Sequence, residues 1–562
     1  MPENLSKDNT LYLGICMAGA VSAGAYTAGV MDYLIEALDE WDKRKKANAP
    51  NTPSHNVVIP VMGGASAGGM TAIITAAALN NPITPIKEPL SDIMAERPEN
   101  KLYHSWVDLI KTDMFPEMLN TADMKEEGII SLLNSSFIDK VADRAIAINK
   151  DAWRPIPSYF SPDLKIFTTL TNLAGFSYNT GFNAGITSDK YYMTIHNDFA
   201  CFKMNGKEED STEEDGWMHL DFKKETNIDV AKNAAMATGA FPVGLKSRKL
   251  LRKWKHVNKI RWDSDIKNQN PIVLDDCDTL NVDGGMINNE PFEKVRDVLN
   301  DITGETAKEN QDEKVFHSTI LMVDPFPSSK PGEFKANQKL FPVIGLTFGA
   351  MMNQMSAKPG QIAAALSSRY SGQFLIAPSR KRPRLDNGQE EDVAGDRAIA
   401  CGALGGFSGF MSKEFRIHDY FLGRFNCEKF LRTYFTISEA ALNANPIFSE
   451  GYKNVDKNLY KTEKGTYQII PIFSPAPPKD HLPLPVFSSG TKWPVMQDKT
   501  VEAFRPMIKD RVQTLILNLV KLSGITKALM WIGAKVVLNR TITNAAMGTI
   551  KKSLNKHQLL KM

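Results

Sequence analysis

A short β-branched run, residues 57–62 (VVIPVM), ends at two glycines and is followed almost at once by an apolar run of small residues, 67–79 (AGGMTAIITAAAL). Branched side chains favour a strand, and a run of small residues suits a buried helix. The chain must therefore turn sharply within the pentapeptide GASAG at 64–68. This turn constrains the fold most, because it places a serine between the carboxyl end of a strand and the amino end of a helix.

Several other runs continue this alternation of strands and helices. Residues 12–16, 163–173 and 318–324 are short apolar runs that predict buried strands, and residues 26–38 have the spacing of a helix. Strands that alternate with helices indicate an α/β fold, in which helices cover both faces of a mainly parallel central sheet.

Composition narrows the class of protein. The 562 residues are 43% hydrophobic, which excludes a mostly disordered chain, and a net charge of +3 gives no basis for predicting nucleic acid as a partner. The five cysteines are scattered and form no C-x-x-C pair. We therefore expect neither a disulfide framework nor a cysteine zinc site, and we expect a reducing compartment.

The serine of the pentapeptide is a candidate nucleophile. In a G-x-S-x-G turn, small neighbours let Ser66 adopt a strained backbone while its hydroxyl projects from the sheet. The following helix directs its first amides, including that of Ala67, to the place where an oxyanion would form. A glycine-rich turn without a catalytic role produces the same pattern, so the prediction depends on a base that activates the serine.

The sequence offers two kinds of base. In TLNVDGG, residues 279–285, Asp283 stands at the end of a predicted strand, and active sites assemble at the strand ends of a parallel sheet. A simple Asp-Gly turn is the alternative interpretation. Among the nine histidines, His317 and His418 are the better candidates for a triad, although a structural role is the simpler interpretation of both.

Taken together, Ser66 in GASAG and Asp283 in DGG resemble the Ser–Asp dyad of the patatin-like phospholipases, which use the aspartate as general base without a histidine. Three further stretches are similar to motifs of that family: GAVSAG at 19–24, AMATGAFP at 235–242 and NEP at 289–291. The four motifs occur in the family's order, which makes the match more specific than any one of them.

The resemblance implies a fold, a site and a reaction. The fold would be the three-layer α/β/α patatin-like fold with a mainly parallel central sheet, plus a helical C-terminal extension. Ser66 would attack an ester carbonyl and Asp283 would accept its proton. No cofactor and no metal are implied. The resemblance places the oxyanion-hole donors at Gly19, Ala20, Val21 and Ala67.

One departure from the family pattern concerns the glycine loop. The family usually has three glycines, any residue and then Arg-Gly, whereas GAVSAG at 19–24 lacks two of the glycines and the arginine. The donors of an oxyanion hole are backbone amides, and Ala20 and Val21 keep theirs. The hole can therefore form provided that both residues avoid positive φ.

We predict three regions along the sequence. A patatin-like catalytic domain would occupy 1–330, an extension with a Pro-rich segment 331–500, and a basic amphipathic helical tail 501–562. Two charged stretches, 207–216 and 378–397, are predicted to be exposed loops.

Three other stretches bear on surroundings and location. Residues 400–410 (ACGALGGFSGF) and 415–431 are similar to the extended C-terminal half of larger bacterial patatin-related proteins. The tail at 511–562 is basic and apolar without an acidic residue, which predicts either contact with an anionic membrane surface or a helix packed on the domain. Residues 11–30 are uncharged like a signal peptide, but cleavage there would remove the predicted oxyanion loop. We therefore expect a cytoplasmic protein that can bind the inner face of the membrane.

Three functional hypotheses follow. The preferred one is a lipid acyl hydrolase of the phospholipase A or lysophospholipase type, acting on phospholipid or another acyl-ester lipid through an acyl-enzyme. The second is a small-ester hydrolase in which Ser66 and Asp283 form a triad with His317 or His418. The third is a catalytically weak membrane-lipid-binding protein that keeps the fold for its apolar groove, and the altered glycine loop is its only direct support.

Overall fold

The fold is taken from a computed structural model of the 562-residue protein. The residues that the structure describes are 9–88, 100–108, 113–126, 128–180, 191–204, 216–260, 275–306, 308–327, 373–384, 388–475, 484–519 and 539–561, with the single positions 343, 346 and 350. The predicted acidic loop at 207–216 lies almost wholly outside them.

A nine-stranded sheet forms the centre of the protein, with the strand order β5-β4-β3-β2-β1-β8-β9 and with β7 joining β3 to β6. Its strands are β1 (Thr10–Met17), β2 (Asn56–Gly64), β3 (Phe160–Thr180), β4 (Tyr191–Met204), β5 (Met218–Leu220), β6 (Arg248–Lys253), β7 (Asp276–Asp283), β8 (Ser318–Val323) and β9 (Gln373–Ile376). The predicted strands at 12–16, 57–62, 163–173 and 318–324 are therefore present, each within one or two residues of an observed strand or inside it.

The middle of the sheet is parallel, as the alternation of elements predicts. Strands β3, β2, β1, β8 and β9 run in the same direction, and the register places Met17 opposite both Gly64 and Val323. The carboxyl ends of three neighbouring strands thus meet at one edge. Strand β7 differs from the expectation, because it runs antiparallel to β3 and pairs Asp283 with Leu170. It reaches the same edge because β3 is 21 residues long and extends past Gly64.

Helices surround this sheet and confirm the three-layer α/β/α arrangement. The α-helices are α1 (Gly24–Lys46), α2 (Ala67–Leu79), α3 (Lys101–Trp106), α4 (Met114–Leu119), α5 (Asp123–Glu126), α6 (Ser136–Ile146), α7 (Ile228–Thr238), α8 (Trp254–Ile260), α9 (Phe292–Thr303), α10 (Lys413–Thr433), α11 (Glu439–Ala444), α12 (Pro446–Gly451), α13 (Asp498–Glu502), α14 (Phe504–Leu519) and α15 (Asn539–Lys556). Short 3₁₀ helices lie at Val21–Ala23, Gly284–Met286, Glu309–Gln311, Gly395–Arg397, Ala400–Gly406, Ser408–Phe410 and Lys457–Tyr460.

The region that follows β9 packs directly on the sheet's helices. Helix α10 lies along α1, and Arg424 of α10 is buried with its guanidinium bound to the carboxylates of Asp32 and Glu36 of α1. Buried apolar residues from all three predicted regions belong to one hydrophobic core. The boundaries near 330 and 500 stay predictions, and this shared core runs across them.

The charged stretch 378–397 differs from the predicted loop. Its residues form the antiparallel hairpin of β10 (Ser379–Pro383) and β11 (Glu390–Ala394), followed by a 3₁₀ turn. Basic side chains on β10 face acidic ones on β11, and the Arg382 guanidinium lies 2.7 Å from the Glu391 carboxylate. The basic half and the acidic half of the stretch therefore pair across the hairpin, which charge composition alone did not indicate. Outside the central sheet, β12 (Thr436–Ile437) also pairs with β13 (Tyr467–Gln468), and β14 (Met496–Gln497) pairs with β15 (Leu560–Lys561).

The described part of the basic tail packs on the rest of the protein. Arg511 of α14 is only 2% exposed and donates to the Asp123 carboxylate at 2.5 Å and to the Leu132 carbonyl at 2.8 Å. Lys551 of α15 lies 2.7 Å from the carboxylate of Asp498. The packed-helix alternative thus describes these two helices, whereas much of the apolar part of the tail, 520–538, lies outside the described residues. Within the described residues, no helix has the length and hydropathy needed to cross a bilayer.

Candidate active site

Ser66 lies at the sharp turn that the pentapeptide predicts. It follows the end of β2 and directly precedes the first residue of α2, with φ 49° and ψ −125°. Few non-glycine residues have positive φ, and such strain persists where the surroundings hold it. Here the amide of Ser66 donates to Thr238 Oγ1 at 2.8 Å, so a side chain from the end of α7 holds the turn.

The glycines of the pentapeptide permit the close approach of β1. A Cβ placed on Gly68 would lie 2.1 Å from the carbonyl oxygen of Met17, the last residue of β1. No larger residue fits without moving main chain. Because of this contact, the loop that follows β1 passes directly beside Ser66: a Cβ on Gly19 would lie 3.1 Å from the Cβ of Ser66.

Asp283 lies at the end of β7, and its carboxylate contacts Ser66. Its Oδ2 accepts a hydrogen bond from Ser66 Oγ at 2.8 Å, and its Oδ1 accepts one from the Gly285 amide at 2.8 Å. The main chain of Asp283 is held as well, since its amide donates to the Ala240 carbonyl at 2.9 Å and its carbonyl accepts from Thr171 Oγ1 at 2.8 Å. Two residues separated by 217 positions in sequence are thus in direct contact.

Burial controls the charge state of this carboxylate. Asp283 and Ser66 are each 6% exposed. Loss of solvent raises the pKa of Asp283 to about 6, and the hydrogen bonds from Ser66 and the Gly285 amide oppose that rise. A carboxylate with such a pKa is ionised at neutral pH and is a stronger base than an exposed aspartate.

Of the four predicted oxyanion donors, Gly19 lies beside Ser66, and Val21 and Ala67 line the same cavity as Ser66. In the part of the protein that the structure describes, the amides of Gly19, Ala20, Val21 and Ala67 have no hydrogen-bond acceptor. Ala20 avoids positive φ, as the sequence requires, with φ −148°.

Val21 does not meet that requirement. Its φ is 48°, and a β-branched residue in this region is a true outlier that costs on the order of 1–3 kcal/mol. The glycine that the family usually places in this loop would adopt the same conformation without that cost. The left-handed conformation of Val21 is therefore unfavourable for its own side chain, and contacts from another part of the protein must stabilise it.

A mainly apolar cavity of about 110 Å³ opens beside Ser66 and Asp283. A single water needs only ~10–15 Å³, so the cavity is large enough for part of a hydrocarbon tail. Its apolar lining includes Met70, Ile73, Trp106, Phe137, Val141 and Met236.

Two cations at this cavity are paired with aspartates. The Lys232 ammonium lies 2.9 Å from the Asp143 carboxylate, and the Arg248 guanidinium lies 2.6 Å from that of Asp139. Their charge is thus largely balanced by the protein itself. The rest of the lining is mainly apolar and offers contacts of the kind that an acyl group makes.

Neither candidate histidine lies at Ser66. His317 precedes β8 at the amino edge of the sheet, opposite the edge that carries Ser66, and its imidazole is 3.9 Å from the Glu305 carboxylate. His418 is fully buried in α10, with its Nδ1 2.7 Å from the Asp419 carboxylate and its ring against Trp493. The geometry therefore does not assemble the Ser-His-Asp alternative from these residues.

Two site residues were missed from the sequence. Thr238 supports the Ser66 amide, and Thr171 supports the Asp283 carbonyl. Thr238 lies in the AMATGAFP stretch, so the motif was visible although the role of its threonine was not. Thr171 lies inside β3 and carries no local signal. Among the described residues, no group of three or more His, Cys, Asp or Glu side chains is arranged to hold a metal.

Comparison with known proteins agrees with this geometry. The model of the patatin-like phospholipase family matches residues 15–296, a span that contains Ser66 and Asp283. An uncharacterized protein of Sinorhizobium fredii (strain NBRC 101917 / NGR234), y4iI, is 30% identical over 480 residues. That similarity covers 76% of this chain and 65% of the relative's length, so it continues beyond the family match.

Proposed function

Because the chain belongs to the patatin-like phospholipase family, a family of lipid acyl hydrolases, we propose that it cleaves carboxylic esters of acyl lipids, as a phospholipase A or lysophospholipase does, with Ser66 as nucleophile and Asp283 as general base. The observation that supports this proposal most directly is the 2.8 Å hydrogen bond from Ser66 Oγ to Asp283 Oδ2 at the mouth of an apolar cavity. A serine hydroxyl is a poor nucleophile without such a base.

In the first half of the reaction, Asp283 accepts the proton of Ser66 while Oγ forms a bond to the ester carbonyl carbon. The carbonyl oxygen becomes an oxyanion, which the amides of the 19–24 loop and of Ala67 stabilise. The intermediate then breaks its bond to the alcohol oxygen, which leaves with the proton from Asp283. The acyl group stays on Ser66.

In the second half, Asp283 accepts a proton from water while the water oxygen attacks the acyl carbonyl carbon. The second tetrahedral intermediate uses the same amides. Its collapse breaks the bond to Ser66 Oγ, which takes the proton back from Asp283 and releases the fatty acid. The raised pKa of Asp283, about 6, suits a group that must accept and return a proton near neutral pH.

The cavity favours a substrate with a hydrocarbon tail next to the ester. Its lining from α2, α6 and α7 is almost entirely apolar, and two of its basic side chains, Lys232 and Arg248, are paired with Asp143 and Asp139. Each CH₂ of an acyl group that is buried there contributes ~0.8 kcal/mol, so even a few carbons improve binding measurably. We infer that the acyl group, more than the headgroup, is what this site recognises.

The proposal is tested with a fluorophosphonate probe, followed by peptide mass spectrometry and by a screen for fatty acid released from phospholipid, lysophospholipid and acylglycerol. We expect a stoichiometric adduct on Ser66 in the native protein, none in Ser66→Ala, and turnover lowered at least 10³-fold in Asp283→Asn.

His317→Gln is the control for the triad alternative, and it should leave turnover unchanged. Loss of activity in this variant, or most of the turnover kept by Asp283→Asn, would contradict the dyad. Folded native protein that binds vesicles but gives no adduct and no fatty acid would favour the lipid-binding alternative, for which the strained Val21 is the supporting observation.

A further inference from the structure

The loop at 19–24 is covered by a segment that is distant in sequence. The 3₁₀ turns Ala400–Gly406 and Ser408–Phe410 pack on the turn Val21–Ala23, although 400–410 lies outside the span of the family match. The approach is close enough that glycines are needed at the contact. A Cβ on Gly406 would lie 3.0 Å from the Cβ of Val21, and one on Gly409 would lie 2.5 Å from Ser22 Oγ.

Ser22 connects the loop to this segment. Its hydroxyl donates to the Gly406 carbonyl and accepts from the Gly409 amide at 3.0 Å. The side chain is 1% exposed, so water does not compete for either bond. Ser22 directly follows Val21, the residue with the unfavourable φ of 48°.

Buried charges fix the segment itself. The Asp419 carboxylate accepts from the amides of Ala400 and Cys401 at 2.7 and 2.8 Å. The Arg416 guanidinium donates to the Gly409 carbonyl at 2.5 Å. Both charged side chains are fully buried in α10. Both turns are thus tied to one long helix, which in turn packs along α1.

From this geometry, and resting on the proposed function, we propose that Ser22 is a positioning residue through which the segment 400–410 holds Val21 in its left-handed conformation and keeps the loop amides aimed at the oxyanion of the transition state. Contacts from the segment thereby stabilise a positive φ that glycine, in the usual family loop, adopts without strain. Ser22 itself touches neither substrate nor the reacting atoms.

The test compares kcat and KM of Ser22→Ala with those of the native enzyme on p-nitrophenyl butyrate. We expect kcat to fall at least tenfold with KM nearly unchanged, because a misplaced oxyanion donor weakens the transition state and not substrate binding. Adding Val21→Gly to Ser22→Ala should recover a large part of the lost kcat, because glycine adopts positive φ without strain.

The matched control is Ser318→Ala. Ser318 is also fully buried, and its hydroxyl is also held by protein groups, with Glu305 and Asn310 as acceptors and Arg296 as donor, but it lies at the amino edge of the sheet. This variant should lose stability without loss of kcat. If Ser22→Ala is not obtained folded, Ser22→Cys removes most of the hydrogen bonding at similar size and should show the same selective loss of kcat.

The outcomes separate the two proposals. Equal kcat values for Ser22→Ala and Ser318→Ala, or no recovery of kcat by Val21→Gly, would overturn the positioning role of Ser22. The proposed function would still stand in that case, provided that the native protein hydrolyses the ester and needs Ser66 to do so. Native protein that neither hydrolyses the ester nor forms a Ser66 adduct would overturn both.

Discussion

Replacing Asp283 with asparagine should abolish hydrolysis and, at the same time, stabilise the folded protein at neutral pH. Burial raises the pKa of this carboxyl from 3.8 to about 6 in the folded protein. The native state thus binds the proton more tightly than the unfolded state does. The resulting stability is fully present below pH 3.8 and is lost as the pH rises through about 6.

The magnitude follows from the size of the shift. About two pKa units correspond to roughly 3 kcal/mol of stability that the native protein lacks at pH 8 and that asparagine, which does not titrate, does not lose. At ~2.1 cal/mol/K per residue, the unfolding entropy of a 562-residue protein is about 1.2 kcal/mol/K. The Tm of Asp283→Asn minus that of the native protein should therefore increase by about 2 °C between pH 4 and pH 8.

Differential scanning calorimetry of the matched pair at both pH values measures this difference. Asp278→Asn, at an exposed position of the same strand β7, is measured beside it as the control for an Asp-to-Asn change that leaves the buried carboxylate in place. A Tm difference for Asp283→Asn that does not change with pH would refute the argument from burial.

The same pKa predicts the activity profile of the native enzyme. Asp283 must be ionised to act as a base, so kcat/KM should fall below pH 6, with its midpoint near that value. A histidine base, with an ordinary pKa of ~6.5, would give almost the same profile. The profile therefore tests the charge state of the base, and the Asp283→Asn and His317→Gln variants test its identity.

Three further predictions concern packing around the site. Gly68→Ala should unfold the turn or lower Tm strongly, because its Cβ would lie 2.1 Å from a main-chain oxygen. Gly548→Ala is the control in the same thermal assay. Its Cβ would meet nothing within 4 Å and it lies inside a helix, so it should stabilise the folded protein by about 0.5–1 kcal/mol. Thr238→Val should slow fluorophosphonate labelling of Ser66 about tenfold, because it removes the hydroxyl that accepts the hydrogen bond of the Ser66 amide. Thr238→Ser keeps that hydroxyl and should retain the native rate. Equal labelling rates in the two variants would show that Thr238 does not hold the turn. Ala145→Phe should fill part of the cavity and lower kcat/KM for long-chain esters more than for butyrate, so an unchanged length profile would show that the acyl group lies elsewhere.

Some features of the protein were determined by short stretches of sequence. The turn at Ser66 could be predicted because a β-branched run, a glycine-rich pentapeptide and a small-residue helix follow one another within 23 residues, 57–79. Asp283 could be placed at a strand end because the strand-like run TLNV at 279–282 leads directly into DGG at 283–285. The central strands also follow from local apolar runs, since each is buried on both faces of a parallel sheet.

Other features depend on residues that are distant in sequence. The direction of β7 depends on the length of β3, and the hairpin at 379–394 depends on pairing between its basic and acidic halves. The positive φ of Val21 is contrary to its local preference. It is held by residues almost 400 positions away, because the Ser22 hydroxyl bonds the Gly406 carbonyl.

The sequence by itself thus determined which residues could carry the chemistry, because backbone preference and hydrophobic spacing act over a few neighbours. Only the tertiary structure decided which of them meet. It brought Ser66 to Asp283 rather than to His317 or His418, and it laid the segment 400–410 on the loop at 19–24. Contacts of this kind depend on how whole elements pack, since burial and close main-chain approach are properties of the assembled core and not of any one segment.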